Sequence, residues 1–260
     1  ALWVQLNHPG KQSPKGLNAS NLSPSAIPFK EDLAAFFETP REATADEIRD
    51  IIRRFGRSAA ICKKAGFSGV QIHGAHGYLL TQFLSLFSNQ RTDAYGGTPR
   101  NRRRFVLEIF ESVRGVWPAE KPLGTRISAT DWVEGGWNVT DAISLCQELK
   151  TLGCDYITVS SGGLSTAQKI AIGEGHQVQL ATRIREAVDV PVMAVGMIYR
   201  PQHAEKIVAD GDADLVAIAR GMLFDPHWTW RAAAVLGAKI KSPPQYIRAH
   251  HSKWLRELSV

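Results

Sequence analysis

Two histidines and a tyrosine lie close together in Gly69-Val-Gln-Ile-His73-Gly-Ala-His76-Gly-Tyr78. Two imidazole donors and a phenol at one mouth suit binding of a carbonyl oxygen and delivery of a proton. On a continuing strand, His73 and His76 would face opposite sides. If the strand ends at His73, the glycines at 74 and 77 let the chain turn so that both rings face the same way. Zinc is the rival chemistry, but the spacing offers no third ligand and is not that of a helical HExxH. Two hydrogen-bonded loop histidines with no chemistry remain the plain alternative.

Arg126 interrupts an apolar run, Leu123-Gly-Thr-Arg126-Ile-Ser. A buried guanidinium needs an anion or a strong acceptor. The acceptor is either a ligand or an internal carboxylate such as Asp131. Two late segments, Val195-Gly196-Met-Ile and Ala219-Arg220-Gly, precede helical patterns. Glycine there lets backbone N–H groups approach a phosphate.

These residues need elements to hold them. Apolar, β-branched runs at 2–7, 69–73, 123–129, 156–160, 191–197 and 214–219 read as strands buried on both faces, the habit of parallel sheets. Helical patterns lie between them. Thr44-Ala-Asp-Glu47 is a capping box, and Ile48, Ile51, Ile52, Phe55, Ala59 and Cys62 share one face. Further helices are expected from about Arg102, from Asn138 or Thr140, over 177–188, from Pro201 and after Pro226. Repeated βα units imply right-handed crossovers. No GxGxxG or GxxxxGK[ST] follows a strand, so nucleotide-binding doubly wound sheets lose support. Polar residues recur at the ends of different strands: Gln5 and Asn7, His73 and His76, Arg126, Ser160 and Ser161, Arg220. A (β/α)8 barrel gathers such ends around one site. Six of eight βα units are readable, and the first two strands are expected to lie upstream of Ala1. The barrel is assigned to 1–230, and a C-terminal helix and tail with a possible subunit contact to 231–260.

The chain has 260 residues, 44% hydrophobic and 22% charged, with a net charge of +6. This composition excludes disorder, and no run of about 18 apolar residues could span a membrane. Three scattered cysteines, Cys62, Cys146 and Cys154, form no disulfide framework and read as thiols of a reducing, cytoplasmic setting. Arg100, Arg102, Arg103 and Arg104 read as the solvated start of a helix. They lack the interleaved aromatics of a nucleic-acid surface.

His73-Gly-Ala-His76-Gly-Tyr78-Leu-Leu, Gln82-Phe-Leu-Ser and Ser88-Asn-Gln-Arg-Thr-Asp-Ala-Tyr-Gly-Gly97 closely resemble the Old Yellow Enzyme family of FMN-dependent ene-reductases. Gln5-Leu-Asn-His-Pro-Gly-Lys11, Arg126-Ile-Ser-Ala, Val159-Ser-Ser-Gly-Gly163, Val195-Gly-Met-Ile198 and Ala219-Arg-Gly-Met-Leu-Phe-Asp-Pro226 follow in the family's order. The resemblance implies a TIM barrel holding FMN over its strand ends. Gln5 would bind the flavin's pyrimidine edge, Arg126 would lie near N1 and the C2 carbonyl, and Gly196, Ala219 and Arg220 would hold the phosphate. His73 and His76 would bind the oxygen of an α,β-unsaturated carbonyl or nitro compound. Tyr78 would give a proton to Cα after flavin N5 delivers hydride to Cβ, with NADPH or NADH as the reductant in a ping-pong cycle. The histidine pair and the tail Pro244-Gln-Tyr-Ile-Arg248 resemble the thermophilic-like branch, where the tail arginine enters a neighbouring subunit's site. Arg248 is thus a candidate substrate contact in a homodimer or larger homo-oligomer. A non-redox phosphate-binding barrel and a non-catalytic remnant of the same family are the alternatives.

Overall fold

The computed structural model describes residues 1–29, 31–241 and 243–246. The elements in chain order are β1 (Trp3–Leu6), β2 (Leu22–Ser23), α1 (Glu31–Ala34), β3 (Arg41–Glu42), α2 (Ala45–Lys64), β4 (Gly69–Gly74), α3 (Leu79–Leu84) and α4 (Pro99–Arg114). There follow β5 (Leu123–Ser128), α5 (Val139–Thr151), β6 (Tyr156–Ser160), α6 (Val178–Ala187), β7 (Val192–Val195), α7 (Pro201–Ala209), β8 (Leu215–Ala217), α8 (Arg220–Phe224) and α9 (Trp228–Val235). The six expected strands are all present: β6 keeps its expected bounds, β4 runs one residue further to Gly74, and the others are shortened by up to two residues at an end. Sequence reading missed the short α3 and α8. It also began α4 late: the helix opens at Pro99 behind the Thr98 cap.

The main sheet has the order β1-β4-β5-β6-β7-β8 and every pair is parallel. Its order never reverses, which is the order of a TIM barrel and not of a doubly wound sheet. Among the described residues β1 and β8 are each paired on one side only.

The sheet is curled. Trp3 on β1 and Tyr156 on β6 are three strand positions apart, about 14 Å in a flat sheet. Their ring centroids are 4.9 Å apart. The space comes from glycine. A Cβ on Gly69 of β4 would lie 2.7 Å from the Trp3 ring, and one on Gly124 of β5 would lie 2.4 Å from Tyr156.

The central strands β4, β5 and β6 are buried on both faces, as expected, but only one of those faces is apolar. Alternate residues go to opposite sides. The outward set (Val70, Ile72, Leu123, Ile127, Ile157 and Val159) is buried in the core against the helices. The inward set on β4, β5 and β6 includes Gln71, His73, Arg126, Tyr156, Thr158 and Ser160. The core is therefore the layer between sheet and helices, and the concave face is mostly polar above the Trp3 and Tyr156 rings.

The helices start as their caps dictate. Thr44 and Glu47 form the reciprocal capping box of α2. Asn138 caps α5 through Thr140 N and Asp141 N. The three cysteines are free and buried.

Candidate active site

β4 carries His73 to the C-terminal rim of the sheet, where it is 4% exposed. The strand continues through Gly74, so the turn does not occur there. It falls on His76 and Gly77, whose φ values are +61° and +73°. A left-handed histidine must be held by its neighbours. Its N–H donates to Ser128 Oγ at 2.9 Å, and its carbonyl accepts from Gln12 Nε2 at 3.0 Å. The same Gln12 amide donates to Gly163 O at 2.8 Å. Three rim loops, after β1, β4 and β6, thus meet at one side chain.

This turn brings the expected trio together. The His73 and His76 ring centroids are 5.1 Å apart, and His73 and Tyr78 are 5.2 Å apart, both edge to face. His76 Nε2 lies 2.7 Å from Ser160 Oγ, and Arg126 Nη2 donates to the same oxygen at 3.5 Å. His73 Nδ1 is buried without a hydrogen-bond partner. Burial, then the Arg126 charge, pulls His73 down to about 4. Burial, Arg126 and His73 together pull His76 to about 3. Both rings are therefore neutral at physiological pH, each with one N–H to offer.

Arg126 projects from β5 into this concavity. Its Nε is buried with no partner, and burial lowers its pKa. Asp131 does not neutralise it. That carboxylate is fully buried elsewhere, accepting from Ser85 Oγ at 2.6 Å and Trp137 N at 3.0 Å. A salt bridge to Asp131 is thus ruled out, leaving Arg126 with no carboxylate partner among the described residues.

Gln5 sits on β1 and donates from Nε2 to Gln71 Oε1 at 2.6 Å. The phosphate candidates lie at the far end of the arc. Gly196 has φ +120° and Met197 φ +53°. Arg220 opens α8, exposed, with Nη2 3.5 Å from Met197 Sδ, so the two late loops adjoin. Arg248 lies outside the described residues.

Sequence reasoning missed Gln71 and Gln177. Gln71 alternates with Ile72 in plain sight, and strict period-two reading of β4 would have turned it inward. Gln177 accepts from Ser161 Oγ at 2.6 Å and donates to Val195 O at 2.8 Å, tying β6 to β7 just before Gly196. At the opening of the helix expected over 177–188 it gave no signal of this role. The basic cluster also needs correction. Arg102 is 6% exposed and donates to Leu84 O and Gly97 O, and Arg103 pairs with Glu148. Those arginines are fasteners, not a solvated face. The Ser88–Gly97 stretch does similar work. Ser88 binds Gln82 O, Asn89 binds Phe83 O and Tyr95 O, and Arg91 binds Pro24 O and Ala43 O.

A parallel barrel arc with a polar site at its C-terminal rim defines a TIM-barrel enzyme class. Solved structures agree. A 2-naphthoyl-CoA reductase in complex with 2-naphthoyl-CoA superposes with TM-score 0.81 at 26% identity, over 91% of this chain and 38% of that one. Morphinone reductase superposes with TM-score 0.73 at 29% identity, over 93% of this chain and 67% of that one. NADPH dehydrogenases of Geobacillus sp. (strain WCH70) and Bacillus subtilis (strain 168) are 43% and 42% identical. Each match spans 95% of this chain and 70% of the relative. Residues 1–238 match the NADH:flavin oxidoreductase / NADH oxidase family. The chain belongs to that family, an oxidoreductase family that uses FMN and NAD(P)H.

The residues present fit FMN. Arg126 is a half-buried cation with an orphaned Nε–H and no carboxylate partner among the described residues, which suits an electron-rich ring edge. Gly196 adds a backbone position with φ +120° where a Cβ would meet Gln177 at 2.3 Å, and the exposed Arg220 beside Met197 adds a cation.

Proposed function

We propose that this protein reduces the activated C=C bond of α,β-unsaturated carbonyl or nitro compounds with NAD(P)H and FMN. The observation that supports it most is the convergence of two neutral imidazoles and a phenol beside an unneutralised arginine. When bound, FMN supplies the two-electron hydride chemistry. The chain supplies everything around it.

Gln5, Arg126, Gly196, Ala219 and Arg220 are the residues to hold the cofactor. His73 and His76 each direct one N–H to the substrate oxygen. Negative charge grows on that oxygen as the β-carbon is reduced, so donors fixed in advance stabilise the transition state more than the ground state. Neutral rings suit this role, because an imidazolium would hand over its proton and lose its place. Tyr78, at the entry to α3 with its ring against His73, gives its phenolic proton to the α-carbon. Arg248 is the candidate contribution of a second subunit, which makes the active form a homodimer or larger.

Tyr78→Phe tests the assignment. It should slow reduction of an enone by about 10²- to 10⁴-fold, the usual weight of a general acid. Oxidation of NAD(P)H in the same variant should stay within a few-fold of the wild type. Equal loss in both half-reactions would remove Tyr78 from the proton-donor role.

A further inference from the structure

Four side chains cross the concave face in one hydrogen-bonded line. Gln5 Nε2 donates to Gln71 Oε1 at 2.6 Å, and Gln71 Nε2 donates to Thr158 Oγ1 at 2.9 Å. Thr158 Oγ1 donates to Met193 Sδ at 3.5 Å. They stand on β1, β4, β6 and β7. β5 passes beneath, where Gly124 has no side chain to block the line.

We propose that Gln71 is a positioning residue that orients the Gln5 amide, oxygen outward, so that the β1 wall accepts a hydrogen bond and selects a ligand edge bearing an N–H. The direction follows from which atoms own hydrogens. Met193 has none to give, so Thr158 must be the donor there. Thr158 is 2% exposed, and its oxygen is then left to accept. Tyr156 makes the same demand independently. Its hydroxyl donates to Val70 O at 3.5 Å, so its oxygen is left to accept a hydrogen bond from Gln71. Two acceptors on one side fix Gln71 Nε2 there. Its Oε1 therefore faces Gln5, takes Gln5 Nε2–H, and leaves Gln5 Oε1 with no protein partner among the described residues. Turning Gln71 over would require both hydroxyls to swing round and donate to its oxygen, forfeiting the Thr158–Met193 and Tyr156–Val70 bonds.

An imide N–H flanked by carbonyls, the pyrimidine edge of a flavin, has the donor this wall requires. The inference rests on Gln5 meeting that edge.

The test compares FMN with 3-methyl-FMN, in which the imide N–H is replaced by N–CH3. Dissociation constants are read from quenching of flavin fluorescence on titration of the 260-residue chain. The wild type should prefer FMN by about tenfold or more, the worth of one hydrogen bond and the penalty of leaving it unmade. Gln71→Met should shrink that preference to within about threefold. Gln71→Glu should keep it, since a carboxylate can only accept and still forces Gln5 to donate. Loss of the preference in Gln71→Glu overturns the proposal even if Gln71→Met fails to fold. An undiminished preference in a folded Gln71→Met also overturns it. Gln5→Leu separates the two readings. If it abolishes the preference while Gln71→Met does not, Gln71 is wrong and Gln5 stands. If Gln5→Leu leaves the preference intact, Gln5 does not meet the edge, and both readings fall.

Discussion

His73 and His76 owe their neutrality to burial and to Arg126, and this has a consequence for stability. An unfolded histidine takes up its proton near pH 6.5. The folded rings resist until about 4 and about 3. Between these limits the unfolded chain binds more protons, so stability is lost as pH falls from about 6.5 through the folded values. The double variant His73→Gln, His76→Asn should lose less of its urea midpoint between pH 7 and pH 4 than the wild type. Parallel losses would mean that the rings are solvated and titrate normally. Much of this site was legible as residue types. The His73, His76 and Tyr78 spacing and the lone Arg126 both pointed to ligand chemistry. What the sequence could not show was which group would answer Arg126. Asp131 is only five residues away, yet the turn before Trp137 carries it to Ser85.

At the scale of elements, the loop after β4 depends on one glycine more than on any side chain. Gly77 has φ +73°, and a Cβ there would lie 2.3 Å from Gly163 O. Gly77→Ala should cost about 1–3 kcal/mol in backbone strain, with the clash added. The FMN-loaded variant should also reduce an enone more slowly, because His76 and Tyr78 flank the glycine. A variant with normal stability and normal enone reduction would show that the loop can reach the site by another route. Strands were read well because their apolar runs are bounded by turns. Their burial on both faces holds for β4, β5 and β6, but the polarity of the inner face was not read because Gly124 and Thr125 blur the alternation of β5, and only the curl of the sheet explains why a glycine belongs there. Helix ends were readable at the side-chain caps Thr44 and Asn138, though the Thr98 cap of α4 was passed over. They were missed where the helix is short, as in α3, which is buried throughout.

Among the described residues the sheet is an arc whose outer strands lie beside apolar surface. Leu2 beside β1 is 68% exposed, and Leu223 and Phe224 on α8 are 83% and 92% exposed. With β1 and β8 each paired on one side, these ends combine unpaired strand edges and bare hydrophobic side chains, which favour association. Light scattering of the 260-residue chain at micromolar concentration should report assemblies larger than a monomer. Leu223→Ser with Phe224→Ser should reduce them. A monodisperse monomer in both would show that the edges are self-protecting.

The proposed passage of electrons from NAD(P)H through FMN to an activated alkene is tested by the visible absorption of the FMN-reconstituted, desalted chain under strictly anaerobic conditions. NADPH is added first and 2-cyclohexen-1-one second. A flavin band should survive desalting, bleach with NADPH and return with the enone. A band that bleaches and stays bleached would contradict alkene reduction. A colourless protein after desalting would contradict the cofactor site itself.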